Sequence, residues 1–376
     1  MNILSKVKRN YINARGWCTP RKIVVIESDD WGSIRMPSKE IYSKLSAENL
    51  NVERDPYLKY DCLENSSDLT ALFEILCSVK DSNGHFAVIT ANTVVANPDF
   101  DKIRLSAFSK YYFEPFTETL KKYDKNSSTF LMIKQGIENK IYHPQFHGRE
   151  HLNVDRWMLG IGQHKDLLRK AFDLKMISIS SVPCELKYCY MEGLDYFNET
   201  ELDNKVAILN EGMDLFKEIF GFTSESFIAN CYIWSKRSET VLAGMGVKYL
   251  QGIYNQFQPV LFNHNRHDLR VVSHYMGERN QFGQRYLLRN AFFEPSLKSN
   301  ADVADECLKR IEIAFRWNKP AIICSHRLNF IGSIDINNRD KNLKMFSTLL
   351  RSIMKKWPAV EFMTSDQLGN LIEHSN

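Results

Sequence analysis

The run Lys22-Ile-Val-Val-Ile-Glu-Ser-Asp-Asp-Trp-Gly32 constrains this chain more than any other stretch. Ile23, Val24, Val25 and Ile26 are β-branched and apolar without a break, the pattern of a buried strand. The run stops abruptly at Ser28-Asp29-Asp30-Trp31-Gly32, so two adjacent carboxylates lie where a buried strand leaves the core. Ionised neighbours there repel one another and lose hydration. They require a cation, a proton or several donors close by. An Asp just past a strand also serves as a turn or helix cap, so the pair decides nothing by itself. The chain's candidate for a cation site is His143-Pro-Gln-Phe-His147-Gly-Arg-Glu-His151.

The rest of the chain alternates strand and helix patterns. Ser38 caps a short helix ending at Leu45, and Ser67-Asp68 opens another with Leu69, Leu72, Phe73 and Leu76 on one face. Strands are predicted over 86–90, 140–142, 176–179, 226–229, 247–250, 321–324 and 360–363. Helices are predicted over 115–122, 155–172, 201–220, 238–243, 302–317, 339–357 and from 365 onward, with a turn over 97–99. Gly221 closes the helix over 201–220. The stretch 260–286 is mixed. This alternation argues for a parallel sheet with helices outside, either a β/α barrel or a doubly wound sheet. Asp29-Asp30, the histidine run, Asn230 and His326 each fall just past the C-terminal end of a predicted strand. That is where barrel active sites are built, so the barrel is favoured. It is expected as one domain over 1–376, with an insertion around 250–300.

The totals exclude several functions. Lys and Arg number 49 against 45 Asp and Glu, a formal +4 that is too slight and dispersed for a nucleic-acid partner. The eight cysteines include no CxxC; Cys184 and Cys189 are the nearest pair, and both read as free thiols of a reducing compartment. Met1 to Gly16 alternates basic and apolar residues, unlike a secretory signal, and no window approaches the ~18 apolar residues of a membrane span. A cytoplasmic location is therefore expected. Ile3, Val7 and Tyr11 form a stripe suited to packing on the domain, with weak contact to a membrane surface as the alternative. Oligomeric state is not readable from these features.

Within the histidine run the imidazoles recur at spacing four and four. Two imidazoles at i and i+4 of a helical turn share a face and can bind one metal ion. A carboxylate from a distant strand completes a set of two His and one Asp with open positions for water and substrate. The register stays open, because His143 and His147 have the same spacing as His147 and His151.

The segment Ile26-Glu-Ser-Asp-Asp-Trp-Gly32 resembles the first motif of the NodB-homology polysaccharide deacetylases. His147-Gly-Arg-Glu-His151-Leu-Asn-Val resembles their second motif, and Ala321-Ile-Ile-Cys-Ser-His326 their last. The resemblance implies an α/β fold of the distorted (β/α) barrel type and metal-dependent removal of an acetyl group from an N- or O-acetylated sugar. It implies Asp30, His147 and His151 as ligands of a divalent metal, Zn²⁺ first, with Co²⁺, Ni²⁺, Fe²⁺ or Mn²⁺ as alternatives. Asp29 would be the general base and His326 the general acid. Such a metal brings the pKa of its water down towards about 7 and polarises the acetyl carbonyl. The implied partner is an acetylated carbohydrate, and the implied setting is assembly of a surface polysaccharide or glycan precursor. The alternatives are a carbohydrate-binding protein that has lost turnover, and a glycosidase on the same fold.

Two departures are visible. The third-motif stretch Phe227-Ile-Ala-Asn-Cys-Tyr-Ile-Trp234 has Ile228 where the family has Arg, and Asn230 where it has Pro. Asp29 therefore needs another partner, with Arg149 and Arg327 as candidates. The fourth motif is not recognisable, since Tyr249-Leu-Gln251 carries no acid. His143 is either a substrate or ligand-supporting contact or a structural residue stacked by Pro144. Trp31, Tyr232 and Trp234 are candidates for stacking on a sugar, against ordinary core packing. The backbone N–H near Tyr232 is a candidate oxyanion donor. Arg327 and Asn329 are candidates for binding substrate hydroxyls or a phosphate, against loop hydrogen bonding.

Overall fold

The computed structural model describes residues 3–124, 128–163, 165–179, 189–262, 266–298 and 302–375. Cys184 and the side chain of Ile3 lie outside the described residues.

Among these residues the main sheet has nine strands. They are β1 Lys22–Trp31, β2 Ile89–Thr93, β3 Tyr142–Phe146, β4 Ser226–Phe227, β5 Tyr249–Gly252, β6 Arg285–Leu288, β7 Ala291–Phe292, β8 Ala321–His326 and β9 Val360–Met363. Their pairings are all parallel, in the order β6-β5-β4-β3-β2-β1-β8-β7, with β9 beside the N-terminal half of β1. The two end strands, β6 and β7, are separated only by Arg289 and Asn290. The N–H of Arg289 donates to the Gly252 carbonyl at 2.8 Å, and that of Asn290 to the Ile322 carbonyl at 3.1 Å. Both edges of the sheet therefore belong to one run of chain, and the sheet closes on itself as a distorted (β/α) barrel, not an open doubly wound sheet.

Burial follows the alternation along β1. Ile23 and Val25 pack with Phe146, Phe227, Leu250 and Ile322 of other strands. Val24 and Ile26 pack under the helices Ser66–Cys77, Val303–Arg316 and Ile336–Lys356, through Leu72, Ile311 and Phe346. All four side chains of β1 are fully buried, each worth roughly 1.5–3 kcal/mol against exposure.

The strands deviate from the sequence pattern where they carry polar interior residues. β2 begins at Ile89 and takes in buried Thr90, Asn92 and Thr93, so its apolar lead-in 86–88 is an approach to the strand. β3 includes His143 and runs up to Phe146. The predicted turn over 97–99 is a short strand, Ala96–Pro98, paired with Phe113–Pro115, and Asp99 caps the helix Phe100–Leu105. The predicted helix over 155–172 is two helices, Val154–Gly162 and Asp166–Asp173. No strand forms over 176–179; Ile177 is buried there, and its carbonyl accepts the Trp157 indole N–H at 2.8 Å. The 250–300 stretch holds the closing strands β6 and β7 together with an antiparallel hairpin, Asn255–Phe262 against Arg266–Ser273, outside the main sheet.

The N-terminal helix Ile3–Tyr11 is held on the domain by buried Arg9, which pairs with Glu306, while Val7 and Tyr11 are exposed. No helix among the described residues is long and apolar enough to cross a membrane.

Candidate metal centre and active site

In a regular strand, neighbours such as Asp29 and Asp30 point to opposite faces. Here the register of β1 against β2 shifts between Ser28 and Trp31, and Asp30 takes φ 76°. This bulge breaks the alternation, so both carboxylates reach the same mouth. Left-handed backbone is costly for most side chains and less so for Asp, which suits the residue found there. Gly32, at φ 78°, completes the turn. A Cβ on it would stand 2.6 Å from the Val94 carbonyl oxygen.

Asp30 Oδ1 lies 3.5 Å from His147 Nε2 and 3.4 Å from His151 Nε2. The three residues offer one ligand atom each within 4.8 Å of one another, and all are buried. The Nδ1 of His147 lies 2.9 Å from the Ile228 carbonyl. A carbonyl only accepts, so the proton sits on Nδ1 and the Nε2 lone pair faces Asp30. Asn230, just past β4, donates from Nδ2 to the His147 backbone carbonyl at 3.1 Å, and the same amide lies 3.4 Å from His147 Nε2. Burial pushes the His151 imidazole down to about 3, leaving it neutral and able to ligate. Burial would raise Asp30, but Arg35 and the histidines hold its carboxyl well below the usual range. Asp30 Oδ1 is buried and receives no hydrogen bond from the protein. An ionised oxygen without a donor, facing the Nε2 atoms of two histidines, fits a divalent cation. The pair does not sit on a helical turn, as its spacing suggested. Residues 147–153 form a loop that turns at Gly148, φ 99°, and the rings meet edge to face with centroids 5.2 Å apart.

Asp29 is held by donors on both oxygens. Arg289 donates from Nη1 to Oδ2 at 2.7 Å and from Nη2 to Oδ1 at 2.6 Å, and Asn92 Nδ2 donates to Oδ1 at 2.7 Å. The same guanidinium reaches Glu27 from Nε at 2.6 Å. Burial opposes ionisation of Asp29, but the Arg289 charge overrides it and holds the carboxyl far below its usual value. Glu27, fully buried and sharing that cation, is pushed up by its burial.

His326 closes the other side of the mouth. Its Nε2 is 3.8 Å from Asp29 Oδ2, and its Nδ1 meets Glu294 Oε1 at 2.6 Å. Burial pulls the imidazolium down, yet Glu294 outweighs it and the group titrates at about 9. Asn329 Nδ2 donates to the other Glu294 oxygen at 2.8 Å and fixes that carboxylate. Asp29, Asp30, His147, His151 and His326 line one cavity of about 380 Å³, which also has Tyr57, Tyr232 and Arg35 in its walls.

The structure thus gathers the five residues expected at the centre and moves others away. Neither Arg149 nor Arg327 partners Asp29. Arg149 pairs with Glu150 and Glu211, and Arg327 is buried against Asp61 and Glu64. His143 does not line the cavity; its ring pairs with Asp366 at 3.1 Å and stacks on Phe222. Trp31 is a core residue, edge-on to Tyr142, with its indole N–H on Ser28 Oγ at 3.0 Å. Trp234 is buried with its N–H on Glu239. The Tyr232 N–H is engaged by the Ala229 carbonyl at 3.1 Å and is not a free oxyanion donor. Its hydroxyl instead accepts from Arg289 at 3.2 Å.

Sequence reasoning missed Arg289, Glu294, Asn92 and Arg35. One signal was available for the first two. The run Tyr286 to Phe293 is apolar except at Arg289 and Asn290, and it ends at Glu294, much as β1 ends in its carboxylates.

No protein-family model matches the chain, and no curated protein matches it either. Solved structures similar to it include a probable polysaccharide deacetylase from Pseudomonas aeruginosa PAO1, at 9% identity over 93% of this chain and 91% of that one, TM-score 0.43. The Puue allantoinase is similar at 10% identity over 94% and 91% of the two chains, TM-score 0.43. A GH57 branching enzyme from Thermococcus kodakaraensis is similar at 11% identity over 95% and 72%, TM-score 0.43. At such low identity and TM-score, the fold rests on this chain's own strand order and the function on its own side chains.

Proposed function

We propose that this chain is a metal-dependent hydrolase of the NodB deacetylase type, removing an acetyl group from an N- or O-acetylated sugar. The observation that carries this reading is Asp30 Oδ1, buried without a donor and facing His147 and His151. Asp30, His147 and His151 would hold a divalent cation, which would supply Lewis acidity to an acyl carbonyl and to the attacking water.

The remaining steps belong to this chain's own residues. Asp29 Oδ2 takes the proton of the attacking water. Arg289 and Asn92 fix its carboxylate plane, so the base is oriented before substrate arrives. The leaving amine or alcohol departs poorly as an anion, and His326 Nε2, across a 3.8 Å gap from the base, delivers a proton to it. Glu294 holds the opposite ring nitrogen and keeps the imidazolium charged at neutral pH.

Acetate release from a panel of N- and O-acetylated sugars, with the zinc-loaded full chain, tests the proposal. Release that disappears in Asp29→Asn while zinc stays bound supports it. Zinc bound with no acetate from any sugar favours a binding protein, and new reducing ends without acetate favour a glycosidase.

A further inference from the structure

Three arginines lie around Asp29 and Asp30, and Arg35 is the one among them whose hydrogen bond to oxygen is no shorter than 3.3 Å. Arg289 meets carboxylate oxygens at 2.6, 2.7 and 2.6 Å. Arg327 meets Glu64 at 2.7 Å and Asp61 Oδ1 at 3.1 Å. Arg35 lies in the cavity wall with its side chain 11% exposed, and it has no comparable partner. Its Nη2 makes one long contact, 3.3 Å to Asp30 Oδ2. Its Nη1 is 3.2 Å from the Met191 sulfur, a weak acceptor. Its Nε forms an ion pair with Asp61 Oδ2 at 3.4 Å, and neither atom makes a hydrogen bond. The Tyr57 ring centroid lies 5.5 Å from the guanidinium carbon, within reach of a cation–π contact.

A guanidinium with its donors largely unspent, almost out of water, calls for an oxyanion. Arg35 and Asp30 line the same cavity and touch at 3.3 Å, which puts an oxyanion bound there close to the acyl group being cleaved. We propose that Arg35 reads an anionic group, carboxylate or phosphate, carried on the substrate carbon next to the acylated one. The preferred substrate is then an acidic acylated sugar, not a neutral one. This rests on the hydrolase reading for its choice of substrate, and its test reads binding separately from turnover.

The test measures calorimetric binding of three sugars to the zinc-loaded full chain. N-acetylmuramic acid carries a neighbouring carboxylate, N-acetylglucosamine 1-phosphate a neighbouring phosphate, and N-acetylglucosamine neither. At least one acidic sugar should bind about tenfold more tightly than the neutral one, as a charge-assisted contact implies. Which acid is preferred separates carboxylate from phosphate recognition. Arg35→Met should shrink the preference to within about twofold, and Arg35→Lys should restore part of it, because Lys keeps the charge but not the fork. Equal binding of all three sugars by the unaltered protein overturns the inference, as does a preference that persists in Arg35→Met with zinc retained. Acetate is followed in the same samples. Preference without acetate release leaves Arg35 as an anion reader and removes the hydrolase reading, whereas release without preference does the reverse.

Discussion

Asp29 and Asp30 are neighbours on one strand, and their surroundings differ in kind. Each Asp29 oxygen is met by an Arg289 N–H, and Asn92 adds a further donor. Asp30 has one long contact to Arg35 and one oxygen with no donor at all, although it is just as deeply buried. The protein holds the first carboxylate itself. It leaves the second for something the polypeptide does not contain. In the proposed reaction two identical side chains thereby take different tasks, one as an oriented base and one as a ligand. The difference comes from a single bulged backbone step and from what arrives from distant strands.

That contrast can be broken from the Asp29 side first. Arg289→Met leaves Glu27 and Asp29 buried together without their shared cation. It should destabilise the chain by about 3–5 kcal/mol in chemical denaturation, and a loss under about 1 kcal/mol would show that the network is not held this way. Asp29→Asn keeps the shape but removes the proton acceptor. Turnover should fall about a thousandfold with zinc content unchanged, and retained activity would remove Asp29 as base. From the Asp30 side, Asn230→Ala removes the donor on the His147 backbone carbonyl and loosens the loop that carries this imidazole. Zinc affinity should weaken about tenfold, read by chelator competition, while stability changes little.

The smallest effect is a shift in pH profile. Glu294 raises His326 above its ordinary 6.5 to about 9, against the pull of burial. A raised pKa means that the pair's stabilisation is complete below 6.5 and fades as pH rises through about 9. Glu294→Gln removes the raising charge, so the alkaline limb of activity should move to lower pH and the loss of stability on that side should flatten. An unmoved limb would assign it to another group.

The proposed ligands, acid and base were legible because each announces itself within a few residues. A buried strand ending in two carboxylates is one such sign, and a close histidine series is another. The groups that tune them were not legible. Arg289 lies 260 positions from Asp29, and only the closing of the barrel at β6 and β7 brings them together. Glu294 reaches His326 by the same route. Residues adjacent in sequence to the site misled for the complementary reason. Trp31 follows the bulge into the core, and Arg327 turns from the mouth towards Asp61 and Glu64. The fold class could be read because strand–helix alternation is a local property. Strand limits shifted where buried Thr90 and Asn92 and half-buried His143 interrupted the apolar runs.

The most direct test is metal content. Purified full chain, dialysed against trace zinc and analysed by mass spectrometry, should hold about one ion per chain. Asp30→Ala and a His147→Ala/His151→Ala double variant should hold almost none while still folding. An unaltered chain that binds no divalent cation, or variants that keep theirs, would contradict the account at its centre.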